Sequence, residues 1–400
     1  MELTLLGTGA PLGLPRPECP CAVCATSRGP QARAATALLV DEALLLDLTP
    51  GAALAAARAG RSLVGVRQVL LTHPHDGPAV EVPAGLPTAG RVPDGRELTL
   101  ISGHRVRAVP MDSPGTGYEV TSAEGERLLY LPPGGSPAGL PDDHRPPYDM
   151  VVMDVTGRPD ALARLRATGA VGASTDVIAV HLDHDVPNGR ELDRRLAAAG
   201  ARAVPDGTTL YVGEYHAVPD VPRRTLVTGG ARSGKSVEAE RRLETVPDVL
   251  YVATGGTREE DPEWAQRVAL HRDRRPGSWR TAETCDLVPL LTTGGPALLI
   301  DCLSLWLTDA MDRVGAWEEE RWASGGQEAL RRRVEELVAA VRATPRTVVA
   351  VTNEVGSGVV PATAAGRRFR DELGRLNAAF GDECEQVLLV VSGQALVLRG

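Results

Sequence analysis

The chain has 400 residues, 43% of them apolar but only 3% aromatic, and a formal net charge of −9. That length suggests two or three domains, with cores built from Leu, Val and Ala. The acidic balance and the lack of a basic stripe argue against a nucleic-acid partner, and no apolar run approaches the ~20 residues that span a bilayer.

The start, Met1-Glu-Leu-Thr-Leu-Leu-Gly-Thr-Gly9, reads as a strand and a turn, without the basic and long apolar segments of a signal peptide. The expectation is a soluble, cytoplasmic protein. Short apolar runs then predict strands at Glu2–Leu6, Thr36–Val40, Ala43–Leu48, Gln68–Thr72, Arg105–Val109, Tyr118–Thr121, Arg127–Leu131, Met150–Asp154, Val177–Val180 and Thr209–Val212. Helical spacing occurs at Ala52–Ala59, Asp160–Thr168 and Arg190–Ala199. Gly213–Arg224, with Pro219 and Pro222, is the best linker, which divides the chain into 1–218, a connector 219–223, and 224–400.

After the linker, strand and helix alternate. Strands are predicted at Thr225–Thr228, Val249–Ala253, Ala297–Asp301, Thr347–Thr352 and Gln386–Val391, and helices at Lys235–Thr245, Pro262–Arg272, Gln327–Arg342 and Ala365–Phe380. That rhythm predicts a parallel sheet covered on both faces. The Trp- and acid-rich stretch from Ala310 to Gly326 reads as an insertion.

In the first half, Cys19-Pro-Cys21-Ala-Val-Cys24 places three thiols in one Pro-rich loop. Cys₃His is a normal tetrahedral zinc shell that needs no open position. Cys285, Cys302 and Cys384 are scattered and read as buried small hydrophobes. Further ordered signals are Gly7-Thr-Gly9, Leu71-Thr-His73-Pro-His75, Asp154 and His181-Leu-Asp-His184. Together these resemble the metallo-β-lactamase fold, an αββα sandwich, and within it the phosphodiesterases associated with phosphonate breakdown. The resemblance implies that His184 completes a structural zinc site with Cys19, Cys21 and Cys24. It also implies a two-metal motif H-x-H-x-D-H, but the chain reads His73-Pro-His75-Asp76-Gly77-Pro78. A further histidine is expected before the Gly-Tyr element, where the chain has Ser113 in Pro110–Tyr118. His73, His75, Asp154 and His181 remain. Two metals ~3.5–4 Å apart need about six ligands, so this set implies a degenerate hydrolase site.

The second half opens on Thr225-Leu-Val-Thr-Gly-Gly-Ala-Arg-Ser-Gly-Lys-Ser236. The spacing is G-x-x-x-x-G-K-S between a strand and a helix, the pattern of a phosphate-binding loop. Gly229, Gly230, Ala231, Arg232, Ser233 and Gly234 would present backbone N–H groups to phosphate, Lys235 would reach the outer phosphates, and Ser236 would hold Mg²⁺. Lys235 is the single lysine among 43 basic residues, so lysine persists where a compact charge differs most from an arginine fork. Thr254-Gly255-Gly256 ends the next strand, where an α/β sheet offers its crevice to a nucleotide. Asp301 ends another apolar strand; a carboxylate there holds Mg²⁺ through water or binds a ribose. His271 stands among Arg272, Arg274 and Arg275, whose charges would hold a triphosphate and keep the imidazole neutral and nucleophilic.

These segments, with His271-Arg-Asp-Arg-Arg-Pro276 and Asn353-Glu-Val-Gly-Ser-Gly-Val-Val-Pro361, resemble the bifunctional adenosylcobinamide kinase/adenosylcobinamide-phosphate guanylyltransferase family from about Arg224 onward. The resemblance implies a P-loop NTPase (RecA-like) fold and a place in cobalamin biosynthesis. It implies ATP or GTP with Mg²⁺, and adenosylcobinamide and adenosylcobinamide phosphate as substrates. It makes His271 the residue that carries GMP, puts Glu283 against the guanine nucleotide, and raises homo-oligomer formation through the C-terminal domain. Asn353, Glu354 and the Gly356–Gly358 turn are expected on the corrinoid side or at a subunit contact. Two other readings compete: a generic P-loop kinase or ATPase, and an active N-terminal hydrolase with a regulatory nucleotide-binding domain.

Overall fold

The computed structural model describes residues 1–73, 82–139, 146–217, 221–255 and 275–400. It divides into two compact units, Met1–Val221 and Pro222–Gly400.

The first unit contains two sheets. One has the order β11-β1-β2-β3-β4, from Thr209–Tyr211, Glu2–Gly7, Ala37–Val40, Leu44–Leu46 and Gln68–Leu70. The other runs β10-β9-β8-β7-β6-β5, from Asp176–Ala179, Met150–Met153, Arg127–Tyr130, Thr116–Thr121, Arg105–Pro110 and Glu97–Thr99. Strand alternation sends Leu3, Leu5, Leu38 and Val40 of one sheet, and Val106, Tyr118, Leu128 and Val152 of the other, into a shared core. The opposite faces are covered by helices. Leu39 and Leu45 pack on α2 (Ala52–Arg58), while Leu129, Val151 and Met153 pack on α3 (Pro159–Ala167) and α4 (Arg190–Ala198). The four layers are therefore αββα.

The second unit is one seven-stranded sheet in the order β14-β13-β15-β16-β12-β17-β18. β12 (Arg224–Gly229), β13 (Val249–Ala253), β14 (Arg280–Glu283), β15 (Ala297–Asp301), β16 (Val348–Asn353) and β17 (Gln386–Val391) run parallel, and β18 (Gln394–Arg399) returns antiparallel. Leu226, Val252, Leu298, Ile300 and Ala350 face one core with Leu307, Leu337 and Leu373 of the covering helices. Val227, Tyr251, Leu299, Val349 and Leu388 face the other with Ala239 and Leu243. The continuous apolar strand sequences are those of a parallel sheet buried on both faces. The P-loop strand β12 and the Asp301 strand β15 are separated by β16, so both end on the same edge of the sheet.

Three expectations change. The cysteine-rich stretch is not wholly irregular: Cys21 caps α1 (Ala22–Thr26) by accepting from the Cys24 amide. The stretch from Ala310 to Gly326 is not an insertion, because Ala310 and Met311 belong to the helix Leu303–Arg313 and Ala316 is fully buried in the core. The sheets also contain β5, β14 and β18, three edge strands absent from the sequence expectation. The predicted helix Pro262–Arg272 lies outside the described residues.

Candidate functional sites

The P-loop follows directly from β12. Gly229 is needed because an added Cβ would lie 2.5 Å from the Val390 carbonyl oxygen and 2.6 Å from Ser233 Oγ. Gly230 faces open space. Ala231 and Arg232 are exposed, Arg232 at φ 57°. The Ser233 amide closes the turn onto the Gly230 carbonyl at 3.3 Å, and the Ser233 carbonyl accepts from the Gly393 amide at 2.8 Å. Gly234, at φ 97°, turns the chain into α5 (Lys235–Arg241), a conformation that disfavours a side chain. Lys235 Nζ donates to the Gly230 carbonyl at 3.1 Å, so its ammonium folds back over the loop. Ser236 occupies the second position of α5. Thr228 Oγ1 and Ser233 Oγ are buried without a hydrogen-bond partner among the described residues.

Beside the loop, the parallel register puts Glu283, Ala253 and Asp301 in one row at the ends of β14, β13 and β15. Asp301 Oδ2 accepts from Tyr251 OH at 2.9 Å. The Arg275 guanidinium stands 3.2 Å from the Tyr251 ring centroid. Thr254 is buried; its hydroxyl donates to the Cys302 carbonyl at 2.7 Å and accepts from the Cys302 amide at 2.8 Å. Its side chain therefore ties β13 to the start of the helix Leu303–Arg313, and Gly255 follows at the sheet edge. Glu354 donates its amide to the Gly229 carbonyl at 3.1 Å, which brings the Asn353–Pro361 segment to the loop. Asn353 Nδ2 donates to Ser304 Oγ at 2.8 Å, and Asn377 donates to the Asn353 carbonyl at 3.0 Å.

In the first unit, the sulfur atoms of Cys19, Cys21 and Cys24 lie 3.1, 3.7 and 3.7 Å from His184 Nδ1. All four ligand atoms fall within 4.8 Å of one another. Zn–S and Zn–N bonds of about 2.3 and 2.0 Å at tetrahedral angles separate S from N by about 3.5 Å, so the spacing fits zinc. Surrounding bonds fix the shell. Arg16 donates its amide to Cys24 Sγ at 3.4 Å, and its guanidinium grips Asp183, with Nε to Oδ1 at 2.8 Å. Asp183 Oδ1 in turn accepts from the His184 amide at 2.7 Å. The Cys24 amide and the neighbouring thiols pull the Cys21 thiol down to about 7, while burial pushes Cys24 up.

Three comparisons bear on this geometry. The family described as cobinamide kinase / cobinamide phosphate guanyltransferase matches residues 225–398. The bifunctional adenosylcobalamin biosynthesis protein CobU of Salmonella typhimurium is 41% identical over 185 residues, covering 44% of this chain and 98% of that protein. CobP of Pseudomonas aeruginosa, of the same description, is 39% identical over 184 residues, again with 44% and 98% coverage. The chain belongs to the cobinamide kinase / cobinamide phosphate guanyltransferase family. Membership rests on the second unit. A diphosphatase from the PhnP family is 20% identical in sequence and has a TM-score of 0.39, covering 52% of this chain and 96% of that one.

Gly229 to Ser236, Thr254, Gly255, Glu283 and Asp301 lie at the carboxyl edge of the sheet or on the loops leaving it, whereas Arg275 precedes β14 and its guanidinium rests on the Tyr251 ring of β13. Gly256, His271 and Arg272 lie outside the described residues, as does His75. Sequence reading passed over Tyr251 and Ser304, because a Tyr within an apolar strand and a Ser between two leucines carry no local signal.

The first unit's other histidines are arranged differently. His181 is buried, stacks on Tyr130 with ring centroids 5.9 Å apart, and is 3.2 Å from the Leu131 carbonyl through Nε2. Burial pushes its pKa down. The Thr72 hydroxyl donates to Asp47 Oδ2 at 2.7 Å, so His73 Nδ1, 2.8 Å away, is the donor to Thr72 Oγ1. Asp154 Oδ1 accepts from the Gly157 amide at 2.7 Å. Among the described residues, the group whose ligand atoms converge is Cys19, Cys21, Cys24 and His184; His73, Asp154 and His181 form no comparable group. Ser113 Oγ is buried without a hydrogen-bond partner among the described residues. Asp47, which also accepts from Tyr130 OH at 2.7 Å, is a polar anchor that sequence reading did not single out.

Proposed function

We propose that this protein phosphorylates adenosylcobinamide and then converts adenosylcobinamide phosphate to adenosylcobinamide-GDP. The observation that carries this reading is the coincidence, on one sheet edge, of the P-loop Gly229–Ser236 with Asp301 and Glu283, in a chain of this family.

In the first reaction, the aminopropanol hydroxyl oxygen of adenosylcobinamide attacks the γ-phosphorus of ATP or GTP. The bond from the β–γ bridging oxygen to the γ-phosphorus breaks, the nucleoside diphosphate leaves, and the hydroxyl proton is released to solvent. Lys235 and the loop amides stabilise the charge spreading over the transferred group. Asp301 offers Oδ1 while Oδ2 is held by Tyr251, and with Ser236 it would hold Mg²⁺, which neutralises phosphate charge when bound. In the second reaction, a His271 ring nitrogen attacks the α-phosphorus of GTP and pyrophosphate departs. A phosphate oxygen of adenosylcobinamide phosphate then attacks the histidyl-GMP, the P–N bond breaks, and His271 is regenerated. Arg272 and Arg275 hold the triphosphate, and Thr254, Gly255, Gly256 and Glu283 line the nucleoside side. Asn353, Glu354 and the Gly356–Gly358 turn shape the corrinoid side or a subunit contact.

For the first unit we propose a structural zinc on Cys19, Cys21, Cys24 and His184, supported by their spacing, and a hydrolase site that has lost its two-metal chemistry. The test of the catalytic reading is incubation of the full chain with α-labelled GTP and Mg²⁺, followed by a denaturing gel and peptide mapping. Wild type is expected to carry label on the peptide containing His271. His271→Ala should lose the label and keep kinase turnover, whereas Lys235→Ala should damage both reactions. Undiminished labelling in His271→Ala would refute the assignment.

A further inference from the structure

Tyr251 sits in the middle of β13 with its side chain buried, and touches two groups that the reactions above use. Its hydroxyl donates to Asp301 Oδ2 at 2.9 Å, across to the neighbouring strand β15. Its ring lies 3.2 Å beneath the Arg275 guanidinium carbon. Arg275 Nε is 4.0 Å from Glu240 Oε1 on α5 and is buried without a hydrogen-bond partner among the described residues. The aromatic face therefore compensates a cation whose ion pair with α5 is long.

Each contact has a separate consequence. A carboxylate at a strand end can turn about its terminal torsion, and one anchored oxygen fixes the direction of the other. The Tyr251 hydroxyl anchors Oδ2 and leaves Oδ1 directed by geometry rather than by chance. Burial holds the phenol protonated, so it remains a donor to Asp301 at every pH the protein would meet. The Tyr251 ring and the Glu240 carboxylate together hold the buried Arg275 cation beside α5, the helix that leaves the P-loop.

We infer that Tyr251 is a positioning residue that sets two charges at once: its hydroxyl orients the Asp301 carboxylate for a divalent cation, and its ring, with Glu240, holds the Arg275 charge against the helix that leaves the P-loop. The inference rests on the nucleotide reading of this sheet edge. Two variants separate its halves. Tyr251→Phe keeps the ring and loses the hydroxyl; Tyr251→Leu loses both.

The experiment is equilibrium binding of GTP to the full chain with and without Mg²⁺, repeated across pH 6.5–8.5, alongside GMP labelling. Tryptophan fluorescence melts establish that each variant is folded. Tyr251→Phe should reduce the Mg²⁺-dependent gain in GTP affinity about three- to tenfold, the net worth of an ordinary hydrogen bond, and leave Mg²⁺-free binding within about twofold. Tyr251→Leu should show the same loss and also weaken Mg²⁺-free binding about three- to tenfold, through the lost cation–π contact. A purely structural role would weaken both binding modes together in both variants. An unchanged Mg²⁺ effect in folded Tyr251→Phe, or identical behaviour of the two variants, would overturn the inference. Wild-type protein that binds GTP with a Mg²⁺ effect but makes no histidyl-GMP would instead overturn the catalytic reading and leave the positioning result standing.

Discussion

Replacing Gly229 by alanine should destabilise the second unit and displace the phosphate loop, whereas the same change one residue later should not. At Gly229 the new methyl would sit 2.5 Å from the Val390 carbonyl oxygen and 2.6 Å from Ser233 Oγ. Ser233 Oγ can rotate away, but the Val390 carbonyl belongs to β17, which pairs with β12 in direct register at Gly229. Relief requires either stretching that ladder or moving the loop. Overpacking of this kind costs about 1–3 kcal/mol, or about 2–12 °C in the midpoint of a unit this size. At Gly230 an added Cβ meets nothing within 4 Å, so the midpoint should hold or rise slightly. All five tryptophans follow residue 222, so tryptophan fluorescence reads the unfolding of this unit without interference from the first. The assay is a thermal melt followed by fluorescence, together with GTP binding by titration calorimetry. Gly229→Ala should melt earlier and bind GTP more weakly. A midpoint within about 1 °C of wild type, or an equal fall in Gly230→Ala, would refute the packing argument.

The zinc reading predicts about one equivalent of tightly held metal in the full chain by elemental analysis, falling on His184→Ala or Cys19→Ser; two equivalents with phosphodiesterase turnover would count against a degenerate site. Because thiols and imidazole must lose protons to bind, zinc should be released as pH falls, followed by a colorimetric chelator. A different pH effect belongs to Glu244, whose carboxyl burial raises above the usual range. Its ionisation opposes folding, so its favourable contribution is complete below the unfolded value of about 4.3 and is lost as pH rises through the folded value. Glu244→Gln should therefore gain stability relative to wild type between mildly acidic and neutral pH, measured by urea melts of tryptophan fluorescence. A stability difference that is flat with pH would show that burial leaves this group untouched.

Much of the candidate site was legible because its chemistry is contiguous. The P-loop occupies Gly229–Ser236 between a strand and a helix, so spacing alone exposed it, and three thiols within six residues announced themselves in the same way. Strands β12, β13, β15, β16 and β17 were legible because parallel strands buried on both faces must be apolar throughout. The edge strands were not: β14 reads Arg-Thr-Ala-Glu and β18 has Leu396, Val397 and Leu398 exposed, so neither has the burial that writes a pattern into sequence. The helix Leu303–Arg313 was missed because its first turn, Leu303-Ser-Leu-Trp306, is nearly as apolar as the strand before it and too short to show a helical period.

Sequence by itself determined which residue types were available: one lysine in a glycine-rich turn, a histidine among arginines, three clustered cysteines, and two histidines without the rest of a two-metal motif. Tertiary structure decided which of them meet. Tyr251 and Asp301 are 50 residues apart and bonded because β13 and β15 lie side by side in register; His184 reaches cysteines 160 and more positions away. Asp47 gathers Thr72 and Tyr130 for the same reason. Side-chain chemistry is a property of each residue. Distance between residues is set by strand order and register, which depend on how the whole apolar surface is buried at once.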